Sequence, residues 1–382
     1  FGAGVSQFEG FFGQLSFSTA NFLGRGEALT LSLQAGSRSE NYQLSFSEPF
    51  LFDRAITGGA DIYRRTIRFI DQFTQSSTGG NLTTGFPLAG FSRMYFTYSY
   101  EATTVSDLNP IYYSPEILQR NPYLRDSLLI GEGGYRRVSK VTPSYIHNTV
   151  DNPIFPNTGM RFTGSMDFAG IGGNTNFLKP RLEYAQFFQH TRRTSVGYRA
   201  QVEYIRPFAS TTFLPITETL FQGGEYTIRG YDIRSVGPRD VNGLVLGGNK
   251  SLLFNAEYLI TIAGPVRLVL FYDAGQVRAQ GIPFGMKEDV TETVFPGAPI
   301  LFDPFATVSL TDPSAPGPQQ VVVGRTSAFK TSTGAEIRFF MPVLNVPFRL
   351  IFAMNPQRAG VFDNNLQPAK KFTFKFAVGS TF

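Results

Sequence analysis

The sequence predicts an all-β chain folded as a transmembrane antiparallel β-barrel of about sixteen strands, and three observations carry that expectation. Period-two alternation runs through most of the 382 residues, and no apolar run reaches the about 18 residues a spanning helix needs. Charged residues make up 16% of the chain, where soluble domains carry about 25%. Phe and Tyr together supply 15%, with Gly at 39 residues, so aromatic strand formers rather than charges meet the surroundings.

The elements follow in order. Phe1 to Phe8 and Gln14 to Ala20 read as the first two strands. Leu29, Leu31 and Leu33 then alternate with Thr30, Ser32 and Gln34, and Tyr42, Leu44 and Phe46 with Gln43, Ser45 and Ser47. The polar stretch Gly36 to Asn41 reads as their hairpin connection, and Pro49 ends the pair by removing a ladder donor. Further strands are expected at Ala55 to Arg65, Gly79 to Thr84, Phe91 to Tyr100, Tyr135 to His147, Met160 to Phe168, Phe177 to Gln189 and Thr194 to Arg206. The last five are Ser251 to Thr261, Val266 to Ala274, Ser327 to Phe340, Phe348 to Asn355 and Lys371 to Phe382. In the closing strand Phe372, Phe374, Phe376 and Val378 make one apolar face, with Thr373, Lys375, Ala377 and Gly379 on the other. A sheet with no helices to cover it places such a face against lipid.

Short turns such as Gly24 to Gly26 and Ala263 to Pro265 alternate with long connections at Val105 to Gly134, Pro207 to Asn249 and Gln276 to Thr326. In this architecture the long ones face outside and the short ones the periplasm. The last is rich in Pro and reads as an extended surface loop. No composition break divides the chain, so one barrel domain is expected over 1–382. The N-terminus lacks a basic stretch followed by an apolar segment, which predicts a mature or truncated chain.

Other function classes find little support. A net charge of +5 is too small for a dedicated nucleic-acid binder. Without Cys there is neither a disulfide nor thiolate chemistry, and His147 and His190 fall on separate strands, so no metal or other cofactor is expected. Neither a phosphate loop nor a Gly-x-Ser-x-Gly elbow is present, and no enzymatic activity is expected.

The connection Pro207 to Asn249 is far longer than the about 15 residues usual for a structureless loop. Its middle, Phe221-Gln222-Gly223-Gly224-Glu225-Tyr226-Thr227-Ile228-Arg229-Gly230-Tyr231-Asp232, interleaves aromatics with glycines and should pack against something. The run Ile228-Arg229-Gly230-Tyr231 resembles the Val/Ile-Arg-Gly-Phe/Tyr motif on the inward-folded loop of the BamA-type outer-membrane insertase and transporter superfamily. Asn21-Phe22-Leu23-Gly24-Arg25-Gly26, Glu48-Pro49-Phe50 with Asp53-Arg54, and Asp151-Asn152-Pro153 through Pro156-Asn157-Thr158-Gly159 resemble other pieces of that family in the same order. Phe271-Tyr272-Asp273-Ala274-Gly275 and Val378-Gly379-Ser380-Thr381-Phe382 complete the likeness, which covers essentially the whole chain. The family's N-terminal periplasmic POTRA domains are missing from it.

The resemblance implies that the loop folds into the barrel and that Arg229 contacts Glu257 and Asp273, polar-facing residues of the two strands that follow. An arginine in a lumen keeps its charge and needs carboxylates. It also implies a lateral seam between the first strand (Phe1, Gly2, Gly4, Ser6, Phe8) and the last (Phe374, Phe376, Gly379, Ser380, Phe382). Glycine weakens strands, and an open edge can template an incoming strand through main-chain hydrogen bonds. The expected function is folding and insertion of β-barrel proteins into the outer membrane. Its expected partners are unfolded outer-membrane proteins, accessory assembly lipoproteins, periplasmic chaperones and outer-membrane lipid, with no nucleic acid. The rivals are a TamA-like or two-partner-type translocation pore, a passive diffusion porin and a soluble adhesive sandwich.

Overall fold

In the computed structural model the alternation becomes one antiparallel meander. The structure describes residues 1–6, 10–22, 24, 26–69, 72–113, 115, 135–152, 155–211, 214–239, 245–294, 319–341, 346–365 and 367–378. Strands β1 (Gly2–Ser6), β2 (Gly10–Thr19), β3 (Ala28–Gly36), β4 (Ser39–Glu48), β5 (Thr57–Phe69), β6 (Phe73–Pro87) and β7 (Ser92–Ser106) pair in sequence order. The ladder continues through β8 (Tyr135–Asn148), β9 (Gly159–Gly173), β10 (Phe177–Thr191) and β11 (Thr194–Tyr204), with the short β12 (Arg206–Pro207) beside the start of β10. Across the long connection, β13 (Lys250–Ala263) pairs with β11 and then with β14 (Val266–Arg278). A separate hairpin of β15 (Lys287–Val294) and β16 (Gln319–Ser327) follows. The sheet resumes with β17 (Lys330–Met341) on β14, β18 (Val346–Met354) and β19 (Phe372–Val378).

The outward face decides between a membrane barrel and a soluble sandwich. Phe17, Leu31, Leu44 and Ile62 lie side by side in one register row across β2 to β5 and are 63%, 39%, 38% and 62% exposed. A soluble sheet would bury such a row, whereas lipid covers it here. The opposite face is polar: buried residues of β13 and β14 include Ser251, Asn255, Glu257, Arg267 and Asp273.

Several strands outrun the pattern that predicts them. β6 begins at Phe73 and β9 runs on to Gly173, because Thr74 to Thr78 is polar on both faces and Gly170 to Gly173 is glycine at all but Ile171, which gives alternation nothing to mark. The segment Gly36 to Asn41 is mostly strand, with only Ser37 and Arg38 between β3 and β4. The connection Gln276 to Thr326 is corrected more substantially: β14 reaches Arg278, and β15 and β16 pair from Lys287 to Ser327, so this region holds an outer hairpin rather than a plain extended loop. The prolines from Pro296 to Pro318 lie outside the described residues.

β1 is hydrogen-bonded to β2 from Gly2 opposite Gln14 to Ser6 opposite Gly10. On its other side it approaches β19 within 8 Å between Cα atoms, and among the described residues no ladder joins the two.

Candidate functional site: the inward loop and its anchors

The described residues of the connection, 208–211, 214–239 and 245–249, fold back into the barrel as an irregular hairpin. Antiparallel bridges join Leu220 to Gly248 and Gln222 to Val236, which leaves 223–235 as a tip. Ile228 and Tyr231 are buried with Val236, Leu253, Val361 and Ala369, so the motif's apolar members pack on the inner wall and on the connection before β19.

Arg229 between them is fully buried. Its Nε and Nη2 donate to the two oxygens of Asp273 at 2.9 and 2.7 Å, and its backbone N–H reaches the same carboxylate at 3.0 Å. Nη1 donates to Glu257 at 2.7 Å and to Glu336 at 3.1 Å, while the guanidinium lies 4.0 Å from the centre of the Phe271 ring. Alternation explains the convergence: Glu257 and Asp273 point inward from the adjacent strands β13 and β14, and Glu336 from β17, opposite Val269. Burial alone would lower the basicity of Arg229, but Asp273, Glu257 and Glu336 outweigh it and hold the group charged well above its ordinary range.

The acids are shared. Arg338 donates to Glu336 at 2.8 Å and to Glu257 at 3.2 Å, and Arg349 clasps both oxygens of Glu336 at 2.8 and 2.9 Å. Three arginines thus meet three carboxylates with no net charge, and Arg349 also donates to the loop carbonyl of Glu225 at 3.2 Å. Because such a cluster has lost its water, its net contribution to stability is small while the removal of one member is costly. Its role is to fix one loop position.

Gly230 is in contact with the end of the sheet. Its N–H donates to the Ser332 hydroxyl at 3.1 Å, and its carbonyl accepts from Asn355 at 2.9 Å and from Thr373 on β19 at 3.2 Å. A Cβ there would stand 1.8 Å from Asn355 Oδ1 and 2.5 Å from Ser332 Oγ, which no side chain permits. Two more bonds tie the loop to β19: Lys375 donates to the Tyr231 carbonyl, and Tyr226 donates to the Val378 carbonyl at 2.7 Å. The far side of the loop is held by Arg234, stacked on Phe221 at 3.7 Å and Phe69 at 4.5 Å, the latter on β5. The loop therefore crosses the lumen from the wall that ends in β19 to the β5–β6 hairpin.

The structure brings Ile228, Arg229, Gly230 and Tyr231 together with Glu257 and Asp273. Glu336, Arg338, Arg349, Asn355 and Lys375 complete the site and were not singled out by sequence; the signal was present as isolated charges among apolar neighbours, as in Glu336-Ile337-Arg338-Phe339. The seam residues are more scattered. Phe1 is exposed, Gly2, Gly4 and Ser6 lie on β1, and Phe374 faces outward with its ring 4.9 Å from Phe352. Phe376 packs on Phe348 at 5.6 Å, while Phe8, Gly379, Ser380 and Phe382 lie outside the described residues. His147 and His190 bond Ser92 and Tyr258 respectively, far apart in the sheet.

The resembling turn at Asp151 has a local cause. One carboxylate oxygen accepts the N–H groups of Asn157 and Thr158 at 2.9 and 3.2 Å, and Arg267 from β14 donates to the Pro156 carbonyl at 3.2 Å.

Comparison with known proteins agrees with this architecture. Residues 21–382 match the Omp85 superfamily domain. The outer membrane protein assembly factor BamA of Neorickettsia risticii is 28% identical over 279 residues, covering 70% of this chain and 35% of its own length. The chain therefore spans about a third of that relative. The crystal structure of BamA from Haemophilus ducreyi lacking POTRA domains 1–3 superposes with a TM-score of 0.71 at 15% identity, covering 99% of this chain and 69% of that one. CdiB from Acinetobacter baumannii gives 0.55 at 11% identity, covering 98% and 58%. Both structural likenesses concern the fold.

Proposed function

The chain belongs to the Omp85 superfamily of outer-membrane β-barrel proteins, and on that footing we propose that it is the single barrel domain, 1–382, of an assembly factor that folds and inserts other β-barrel proteins. The observation that carries the reading is the loop: a fully buried Arg229 on three carboxylates, with the neighbouring residues bonded to the last strand. A passive porin needs a constriction, but not one tied to the strand that closes its sheet.

An unfolded outer-membrane protein pairs with the free side of β1 through main-chain hydrogen bonds, which require little of its side-chain sequence. The cost of parting β1 from its neighbour is the exposure of unpaired amides to lipid, and it falls where few ladder bonds exist. Gly2 and Gly4 keep β1 weak, while the anchored loop keeps β19 in place as β1 moves. Folding of the client supplies the free energy, so no nucleotide, metal or catalytic group enters. Accessory lipoproteins and periplasmic chaperones deliver clients to the periplasmic side, and outer-membrane lipid receives the product. A protein-translocation pore is the second reading, favoured less because the curated relative is an assembly factor and CdiB superposes less closely.

The test is insertion of a model barrel into liposomes by the longer protein that carries this domain. Faster folding than in empty liposomes is expected. Passage of an unfolded chain across the membrane, with no gain in client folding, would move the pore reading ahead.

A further inference from the structure

The outer surface of β3 to β8 carries a groove that the assembly reading does not use. It encloses about 840 Å³ and opens on the face that meets lipid. Leu44 and Ile62 form one apolar wall and Tyr100 the other, and Gly80 between them leaves the floor low. A Cβ at Gly80 would lie 3.0 Å from the Asp61 carbonyl, so the depression is set by close backbone approach.

Toward the end of β5 that leads to the 70–72 connection the lining turns polar, with Ser76, Thr78 and Thr104. Arg64 stands at this polar end, outward-facing and exposed, with no hydrogen-bond or ion-pair partner among the described residues. The register places Arg64 opposite Thr78, Thr78 opposite Ala102, and Ala102 opposite Arg137. Arg64 and Arg137 therefore share one row, three strand spacings or about 14 Å apart. Arg137 lies 5.0 Å from the ring of Tyr135, which itself lines the groove. Glu40, on the same face of β4, is opposite Thr66, one step nearer the rim.

A cation on the lipid face is disfavoured unless it reaches a headgroup, and two in one row beside an apolar trough match a phosphate above an acyl chain. We propose that this groove binds an anionic lipid of the surrounding bilayer, its phosphate at Arg64 and Arg137 and one acyl chain along Leu44, Ile62 and Tyr100.

Native mass spectrometry of the barrel, released from equal mixtures of phosphatidylglycerol and phosphatidylcholine with matched chains, tests the site. The unaltered protein should retain phosphatidylglycerol preferentially. Replacing Arg64→Gln and Arg137→Gln together should reduce that preference by at least about fivefold, while Arg192→Gln with Arg193→Gln, exposed at the opposite end of the barrel, should leave it unchanged. Filling the trough with Ala102→Phe should reduce retention of both lipids. Folding of each variant is checked by heat-modifiable migration. Equal retention of the two lipids by the unaltered protein, an undiminished preference in the double variant, or an equal loss in the Arg192 and Arg193 control would each overturn the proposal.

Discussion

Arg229→Ala should destabilise the barrel by about 3–5 kcal/mol, the usual result of leaving buried charge uncompensated. Asp273 would lose its two-pronged cation and keep two neutral donors, the Asn255 amide at 2.8 Å and the backbone N–H of residue 229 at 3.0 Å. Glu257 and Glu336 would retain Arg338 and Arg349, so the damage centres on Asp273 and on the loop itself. Arg229→Lys should recover little, because one ammonium cannot span both Asp273 oxygens and Glu257. Arg229→Ala combined with Asp273→Asn should recover part of the loss, since it removes the orphaned charge along with its partner. Denaturant midpoints of the refolded barrel measure the ordering, and limited proteolysis of residues 208–249 measures release of the loop. If the single variant matched the unaltered protein in both, the cluster would not be what holds the loop.

Gly230→Ala reaches the same loop by a different route. It leaves every charge in place and adds one methyl group where Asn355 Oδ1 and Ser332 Oγ leave no space. Neither neighbour yields freely: Asn355 is buried and donates to both the Gly230 and Lys370 carbonyls, and Ser332 accepts from the Gly230 N–H. Overpacking of this kind costs about 1–3 kcal/mol when the surroundings adjust. Here the cheaper response is withdrawal of the loop, which would carry Arg229 off its carboxylates. Loop protection from protease should therefore fall as it does in Arg229→Ala, and Asn355→Ala in the same chain should restore part of it. Full protection in Gly230→Ala alone would show that the close approach is not required.

The sheet was legible in the chain because lipid on one side and a polar lumen on the other force a strict two-residue period, as at Leu29 to Gln34. It became illegible where both faces are polar, as in Thr74 to Thr78, and where strands leave the membrane, as in the β15–β16 hairpin. At the site, Arg229, Glu257 and Asp273 were readable from the motif and from the inward parity of two adjacent strands. Glu336 and Arg349 were not, because they lie 107 and more residues beyond Arg229 and only the return of the sheet brings β17 against β14 and β18 against β17. Asn355 and Lys375 carry no mark of their own; what gives them meaning is the Gly230-Tyr231 backbone they hold.

The central claim is that clients enter the membrane between the first and last strands. The most direct measurement joins a cysteine at Ser6 to one at Ser380, in the longer protein with any cysteines outside these 382 residues replaced, and follows insertion of a model barrel into liposomes, oxidised and then reduced. The account predicts that oxidation stops insertion while the barrel stays folded, and that reduction restores it. Complete crosslinking with undiminished insertion would contradict it.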